Sequence, residues 1–374
     1  MKTRYVLAIA FCLIISTTSH ASAISPDAPQ DGKQYTIKGI VLNQYSMLLK
    51  KWTTSYSGQY PGVKTKYDLV GAGNVAFQYS KKYPSFGVTD VSLPSIQFKA
   101  KPQPVIIPVA VEAVAVVYNI PGLQSGLKLT GPELADIYLG NIIFWDNSKI
   151  QESNPGIKLP HARITAIHRT DAAGTTYVFT SYLSAISDNW KNLVGKGTSV
   201  TWKAGTQPAQ SGETWIVRQV ANSPYSISYL DLGTAITNKL NYAAIENADK
   251  TNFVVPSLEG STQAASSATL PEALGDWSNT SIVNSHGRNS YPISSLVLVL
   301  TYQDLNKISA DQDTAKALVH QIYWDVTDGQ KLLGPLKIAP LPDNIVELDK
   351  RGLGKINFKG SQLFAYDGFV VKPE

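Results

Sequence analysis

From residue 35 onward, short apolar runs of strand character alternate with segments of helical periodicity, and this alternation is what most narrows the fold. Residues 35–41 and 63–70 alternate apolar and polar side chains, as half-buried strands do. Between them, Tyr45, Leu48, Leu49 and Trp52 recur at helical spacing, which predicts a helix over 43–56. Residues 86–90 form a short strand ending in an acid. The apolar stretch 103–117 is broken by Pro104 and Pro108 and reads as two strands; a turn follows at 119–122. Thr130 caps the next helix, with Pro132 and Glu133 in its first turn. A strand at 164–167 leads into a helix whose face carries Val178, Tyr182, Leu183, Ile186 and Trp190. Further helices are expected over 211–220, 262–274 and 310–328, and from Leu341 with Asp343 or Asn344 near the cap. Strands are expected at 225–230 and 293–300, and loops at 147–157, 196–210 and 277–288. Such alternation in both halves predicts an α/β protein with helices on both faces of mainly parallel sheets. Ligands of such folds bind where strand ends meet helix N-termini.

The chemistry concentrates at one such place. Arg169-Thr-Asp-Ala-Ala-Gly174-Thr175-Thr176 joins the 164–167 strand to the following helix. A helix start offers unpaired N–H groups and the positive end of a dipole, so this turn is expected to hold a small oxyanion. Arg169 supplies a fork donor. Two other strand ends carry candidate groups: Asp90, and the turn Gly71-Ala-Gly73-Asn74. That turn continues to Ala76 as G-x-G-x-x-A, which imitates a dinucleotide fingerprint. An exported chain has little use for nicotinamide chemistry, so an anion-cradling turn is the preferred reading.

Export is read from the N-terminus. Lys2 and Arg4 precede an apolar run from Tyr5 to Ile15, and Ala21-Ser22-Ala23 supplies a cleavage site. Residues 1–23 are therefore expected to be a signal peptide, followed by a loose extension at 24–35. Cys12 lies within the signal, so the mature chain has no thiol for a disulfide or a metal. The formal charge of +5 falls to +3 once Lys2 and Arg4 leave, too mild and dispersed for nucleic acid. His161, His168 and His286 lack metal-ligand spacing, and His168 is read as packing. No G-x-S-x-G elbow occurs, so nothing marks a hydrolase. No cofactor, metal or catalytic residue is expected.

In order and spacing, residues 86–90, Tyr118-Asn-Ile-Pro-Gly122, Asp136-Ile-Tyr-Leu-Gly140, Asn154 to Pro160, Arg169 to Leu183, Asp276-Trp-Ser278 and Leu341-Pro-Asp343 resemble the periplasmic phosphate-binding subunits of phosphate ABC transporters. The resemblance spans roughly 36 to 356. It implies a type II periplasmic-binding-protein fold: two α/β lobes joined by crossover strands, with a ligand cleft between them. One lobe would comprise 36–115 plus 292–374 and the other 116–291, with crossovers near 116–118 and 291–292. It further implies that Arg169 donates to a dehydrated phosphate, that Asp171 holds this Arg, and that Gly174 and Thr175 add N–H groups and a hydroxyl. Asp90 would accept the proton of hydrogen phosphate. A carboxylate facing the ligand repels fully deprotonated sulfate, which gives selectivity. The implied partners are phosphate and a membrane permease, for a monomer in the periplasm. The chain departs from the family pattern at three places: Ala173 replaces a hydroxyl before the Gly-Thr pair, Gly73-Asn74 stands where a hydroxyl-bearing loop is usual, and Asn43-Gln44 replaces a Thr-Phe pair. Asn43, Asn74 or Thr89 are the compensating donors. Binding of another oxyanion or a phosphorylated ligand, or an adhesion role on the same fold, are the alternative readings.

Overall fold

The computed structural model describes residues 25–72, 75, 84–91, 104–204, 211–309 and 311–366. The expected signal peptide, Gly73 and Asn74 lie outside the described residues.

The first strand, β1 (Tyr35–Leu42), runs through a 3-10 turn at Asn43–Tyr45 into α1 (Ser46–Gln59). Leu48, Leu49, Trp52 and Tyr56 form the buried face of α1, so the expected periodicity holds. β2 (Val63–Val70) returns parallel to β1 in full register, and β3 (Phe86–Thr89) lies parallel on the other side of β1. β4 (Pro104–Asn119) follows. The expectation of two strands in this stretch is corrected to one strand of 16 residues. Both prolines fit it without a break. Pro104 is the first residue, and Pro108 sits where the pairing slips by one residue, Val297 facing Ala110 and Leu298 facing Pro108.

β5 (Lys128–Leu129) precedes α2 (Gly131–Leu139). Thr130 and Glu133 close a full capping box, and Gly140 ends the helix in the left-handed region at φ 82°. The loop expected at 147–157 contains a short helix, α3 (Ser148–Ser153), capped by Asn147 and anchored by buried Ile150. Of the strand expected at 164–167, only β6 (Thr165–Ala166) is paired. The helix that follows is divided by an extended Ser187 into α4 (Gly174–Ile186) and α5 (Asp188–Leu193). Trp190 thus belongs to a second helix, capped by the Ser187 hydroxyl.

α6 (Glu213–Asn222), β7 (Ser226–Asp231) and α7 (Leu232–Thr237) come next. α7 is a helix that the sequence pattern does not announce; Asp231 caps it. The short strands β8 (Asn241–Tyr242), β9 (Ala244–Glu246) and β10 (Phe253–Val254) lead to α8 (Leu258–Ser266), which starts and ends earlier than expected. β11 (Ser294–Tyr302), α9 (Gln312–Val326) and α10 (Asp343–Leu353) complete the main elements.

The main sheet has the order β2-β1-β3-β11-β4-β7-β6, with β8 also on β4. It is mixed rather than mainly parallel: β11 runs antiparallel to β3 and β4, and β4 antiparallel to β7. The antiparallel pairs arise because β4 and β11 pass between two hydrophobic clusters instead of closing βαβ units. Val105 to Val111 belong to the first cluster, and Ala113 to Ile120 to the second. On β11 and its approach, Tyr291 and Ile293 belong to the second and Leu296 to Tyr302 to the first. Glu112 is the residue at which β4 changes clusters. Ala265, Ala273, Trp277 and Ile282 pack in the first cluster. Among the described residues, no helix is long and apolar enough to cross a membrane.

Candidate functional site

Asp90 follows β3 directly and is 4% exposed. Its Oδ2 accepts a 3.0 Å hydrogen bond from Gln44 Nε2, which also donates to the Tyr45 hydroxyl at 3.0 Å. Gln44 and Tyr45 stand on the 3-10 turn after β1, the strand beside β3. Asn43 opens that turn and is exposed. Thr89, the last residue of β3, uses its hydroxyl to accept from Val91 N at 3.0 Å.

The second group of residues comes from the strand-to-helix turn after β6. Arg169 Nε donates to Asp171 Oδ1 at 3.0 Å and its Nη2 to Oδ2 at 2.5 Å, a two-point fork. Burial raises Asp171, but the bond and charge of Arg169 outweigh it and hold this carboxyl below its ordinary value. Asp171 Oδ1 is also held by the Gly212 N–H at 3.2 Å, with Gly212 at φ 101°. The fork occupies one edge of the guanidinium. The other edge makes no hydrogen bond among the described residues. The Tyr229 hydroxyl ties this loop to the helix: Arg169 N donates to it at 3.3 Å, and it bonds Thr176 Oγ1 at 2.8 Å.

Ala173 precedes α4 in an extended conformation, with its N–H given to Thr198 O at 2.9 Å. A hydroxyl at this position would cap the helix; the methyl group does not. The N–H groups of Gly174, Thr175 and Thr176 have no acceptor within the helix. Thr175 is 3% exposed, and its hydroxyl lacks a hydrogen-bond partner among the described residues.

The two groups meet at Gly174. A Cβ placed there would lie 2.0 Å from Asp90 Oδ2 and 2.6 Å from its Cγ. The carboxyl of Asp90 therefore rests directly on the first turn of α4. The structure brings Gln44, Asp90, Gly174 and Thr175 together, and joins Arg169 to Asp171 on the same turn. It gives Asn43 and Ala173 no side-chain hydrogen bond in this region, and Gly73 and Asn74 lie outside the described residues. A cavity of about 30 Å³, near the size of one water, adjoins Asp90 and is also lined by Tyr177, Ser181 and Trp277.

Sequence reasoning missed an acidic neighbourhood behind Asp90. Glu112, 5% exposed, is in hydrogen-bonding contact with the Asp90 carboxyl, and Tyr45 reaches both. Burial, then the charges of Asp90 and Asp231, push Glu112 well above the usual carboxylate range. Burial raises Asp90 too, against the opposing pull of its hydrogen bonds. Asp231, at the end of β7, is pushed up to about 7 by burial and by Glu213. Glu213 in turn accepts from Asp231 N at 2.9 Å and Thr234 Oγ1 at 3.2 Å. The signal was present: Glu112 is the one charged residue in the strand Pro104–Asn119.

The histidines stand apart from this site's donors. His168 is buried, with Nδ1 3.1 Å from Arg169 O and its ring stacked on Trp202 at 4.6 Å, which agrees with a packing role. His161 pairs with Asp146 and His286 with Asp249, both exposed. Among the described residues, no group of three or more His, Cys, Asp or Glu could hold a metal ion.

A family model described as a PBP superfamily domain matches residues 26–320. A phosphate-binding protein PstS of Methanocaldococcus jannaschii is 32% identical, covering 96% of each chain. One from Xylella fastidiosa is 34% identical, covering 87% of each. Among solved structures, a human phosphate binding apolipoprotein superposes with a TM-score of 0.63 at 16% identity, over 84% of this chain and 93% of that one, which is a likeness of fold. This chain belongs to the PBP superfamily and, within it, to the PstS family of phosphate-binding proteins.

Proposed function

We propose that the protein captures inorganic phosphate in a cleft between two lobes and delivers it to the membrane permease of an ABC transporter, without chemical turnover. The observation that carries this reading is the meeting of Asp90 with the first turn of α4, where Thr175 keeps a buried hydroxyl without a partner among the described residues, on the same strand-to-helix turn as the Asp171-forked Arg169. Arg169, the Gly174 and Thr175 N–H groups and the Thr175 hydroxyl donate to the anion. Asp90 accepts the ligand's own proton, and Asn43, Gln44, Gly73 and Asn74 complete the wall on the first lobe. The lobes are residues 36–115 with 292–374, and 116–291. The two hydrophobic clusters support this division, save that Ala265, Ala273, Trp277 and Ile282 pack with the first lobe and Ala113, Val114, Ala115 and Ile293 with the second. The protein acts as a monomer in the periplasm after removal of residues 1–23. Relatives named as phosphate-binding proteins support the ligand.

Calorimetric titration tests the reading. Phosphate gives heat of binding below millimolar concentration and sulfate gives none; the absence of phosphate heat in that range overturns it. Arg169→Ala abolishes the heat while His168→Ala retains it, because His168 faces Trp202 rather than the anion. Equal losses would misplace the site. A second reading has one observation in its favour: Ala173 brings no hydroxyl to the helix start. A thermal-shift panel of oxyanions and phosphorylated small molecules distinguishes a changed ligand from weakened phosphate binding.

A further inference from the structure

We propose that Glu112 and Asp90 share one proton and act on the bound anion as a unit, which makes Glu112 a specificity-determining residue of this site. The effect on the ligand rests on the phosphate reading above; the sharing of the proton does not.

The two carboxyls come from strands that are not neighbours. β11 lies between β3 and β4, with Leu298 beside Thr89 and Ser295 beside Glu112. Asp90 and Glu112 nevertheless interact with one another, both almost fully buried. Asp90 Oδ1 and Glu112 Oε1 are each left without a donor among the described residues. Two ionised carboxylates in such contact repel, and neither can donate to the other. One proton between them removes the repulsion and supplies the missing donor.

The groups packed around the pair decide where that proton resides. Gln44 donates to Asp90, and Tyr45 reaches both acids from the turn after β1. On the other side, Asp231 at the end of β7 faces Glu112 with like charge, and Glu213 on α6 faces Asp231. Arg169 is the cation of the region, and Asp171 already engages it. Donors thus gather on Asp90 and acids on Glu112. Glu112 keeps the proton and donates it to Asp90, which carries the charge. The cleft floor then presents one negative charge instead of two, and Asp90 stays an acceptor toward the ligand. Stripping the shared proton at high pH adds a second buried charge and drives the anion out.

Glu112→Gln tests this, since the amide donates to Asp90 as a protonated acid does but cannot ionise. The first measurement is carbon NMR of the Asp90 carboxyl in the ligand-free full chain. In the natural protein its signal follows two steps, its own ionisation and, at higher pH, that of Glu112; Glu112→Gln loses the higher step. A titration curve of the same form in both proteins overturns the proposal. The second measurement is phosphate calorimetry on both proteins from about pH 6 up to the highest pH at which both stay folded; the ratio of their affinities cancels the titration of phosphate itself. Natural-protein affinity falls relative to Glu112→Gln by about tenfold across that range, the size of one charge-assisted interaction. A flat ratio overturns the role in specificity. If Glu112→Gln does not fold by circular dichroism, Glu112→Asp is used: the Asp90 carboxyl then retains a two-step titration, and a single-step curve overturns the pairing. If the natural protein binds no phosphate, the phosphate reading fails and the NMR measurement alone decides whether the proton is shared.

Discussion

Gly174 has no side chain because Asp90 occupies the space where a Cβ would stand. The carboxyl cannot move aside freely, since it is buried, tied to Gln44 and set against Glu112. Gly174→Ala therefore displaces Asp90 or holds the two halves of the site apart. Ala is the better helix former, so the helix itself is not weakened. Phosphate affinity is expected to fall at least about 100-fold, in line with two lost charge-assisted bonds, with circular dichroism unchanged; calorimetry and far-ultraviolet spectra check this together. Arg169 is constrained in the complementary way. Its fork on Asp171 fixes the plane of the guanidinium before any ligand arrives, so little rotamer entropy remains to be lost on binding.

At the scale of elements, α9 and α10 each bury an acid. Asp325 is 4% exposed and Asp349 1%, and neither oxygen of Asp349 has a hydrogen-bond partner among the described residues. Burial raises both well above the ordinary value. The unfolded chain ionises these groups near pH 4. Their favourable balance is therefore complete only below that pH and is lost as pH rises toward the raised folded value. Asp349→Asn removes the ionisation. It is expected to stabilise the protein by about 1–3 kcal/mol at neutral pH, the cost of holding a carboxyl protonated above its unfolded value, and to change little near pH 3. Urea unfolding at the two pH values checks it. The elements also show what residue patterns reveal. β1, β2, α1 and the capped start of α2 were legible because one face of each is apolar or one cap is explicit, as with Thr130 and Glu133. β4 was split in the reading because prolines usually end strands, and a bulge opposite Val297 is invisible in sequence. Ser187 ends α4 although the apolar period runs on to Trp190. Of the site, the Arg169 turn and Asp90 were legible as chemistry at strand ends. Glu112 was not, because its meaning depends on β11 being inserted between β3 and β4.

For the whole molecule, the two clusters exchange chain at Glu112 on β4 and between Ile293 and Leu296. Two adjacent antiparallel strands at one level form a natural bending line. Phosphate is expected to draw the lobes together, which small-angle scattering registers as a smaller radius of gyration; an unchanged radius with binding intact would show that the ligand-free protein is already closed. The insertion of β11 also dictates an order of assembly. Members of the second cluster run from Ala113 to Val254 and are joined late only by Tyr291 and Ile293. The first cluster opens at Tyr35 but lacks its central strand until residues 294–302 join it. Until then β3 and the first half of β4 present bare apolar edges, which invite pairing with other chains. The middle of the gene product is thus able to fold first, while its earliest residues wait for its last.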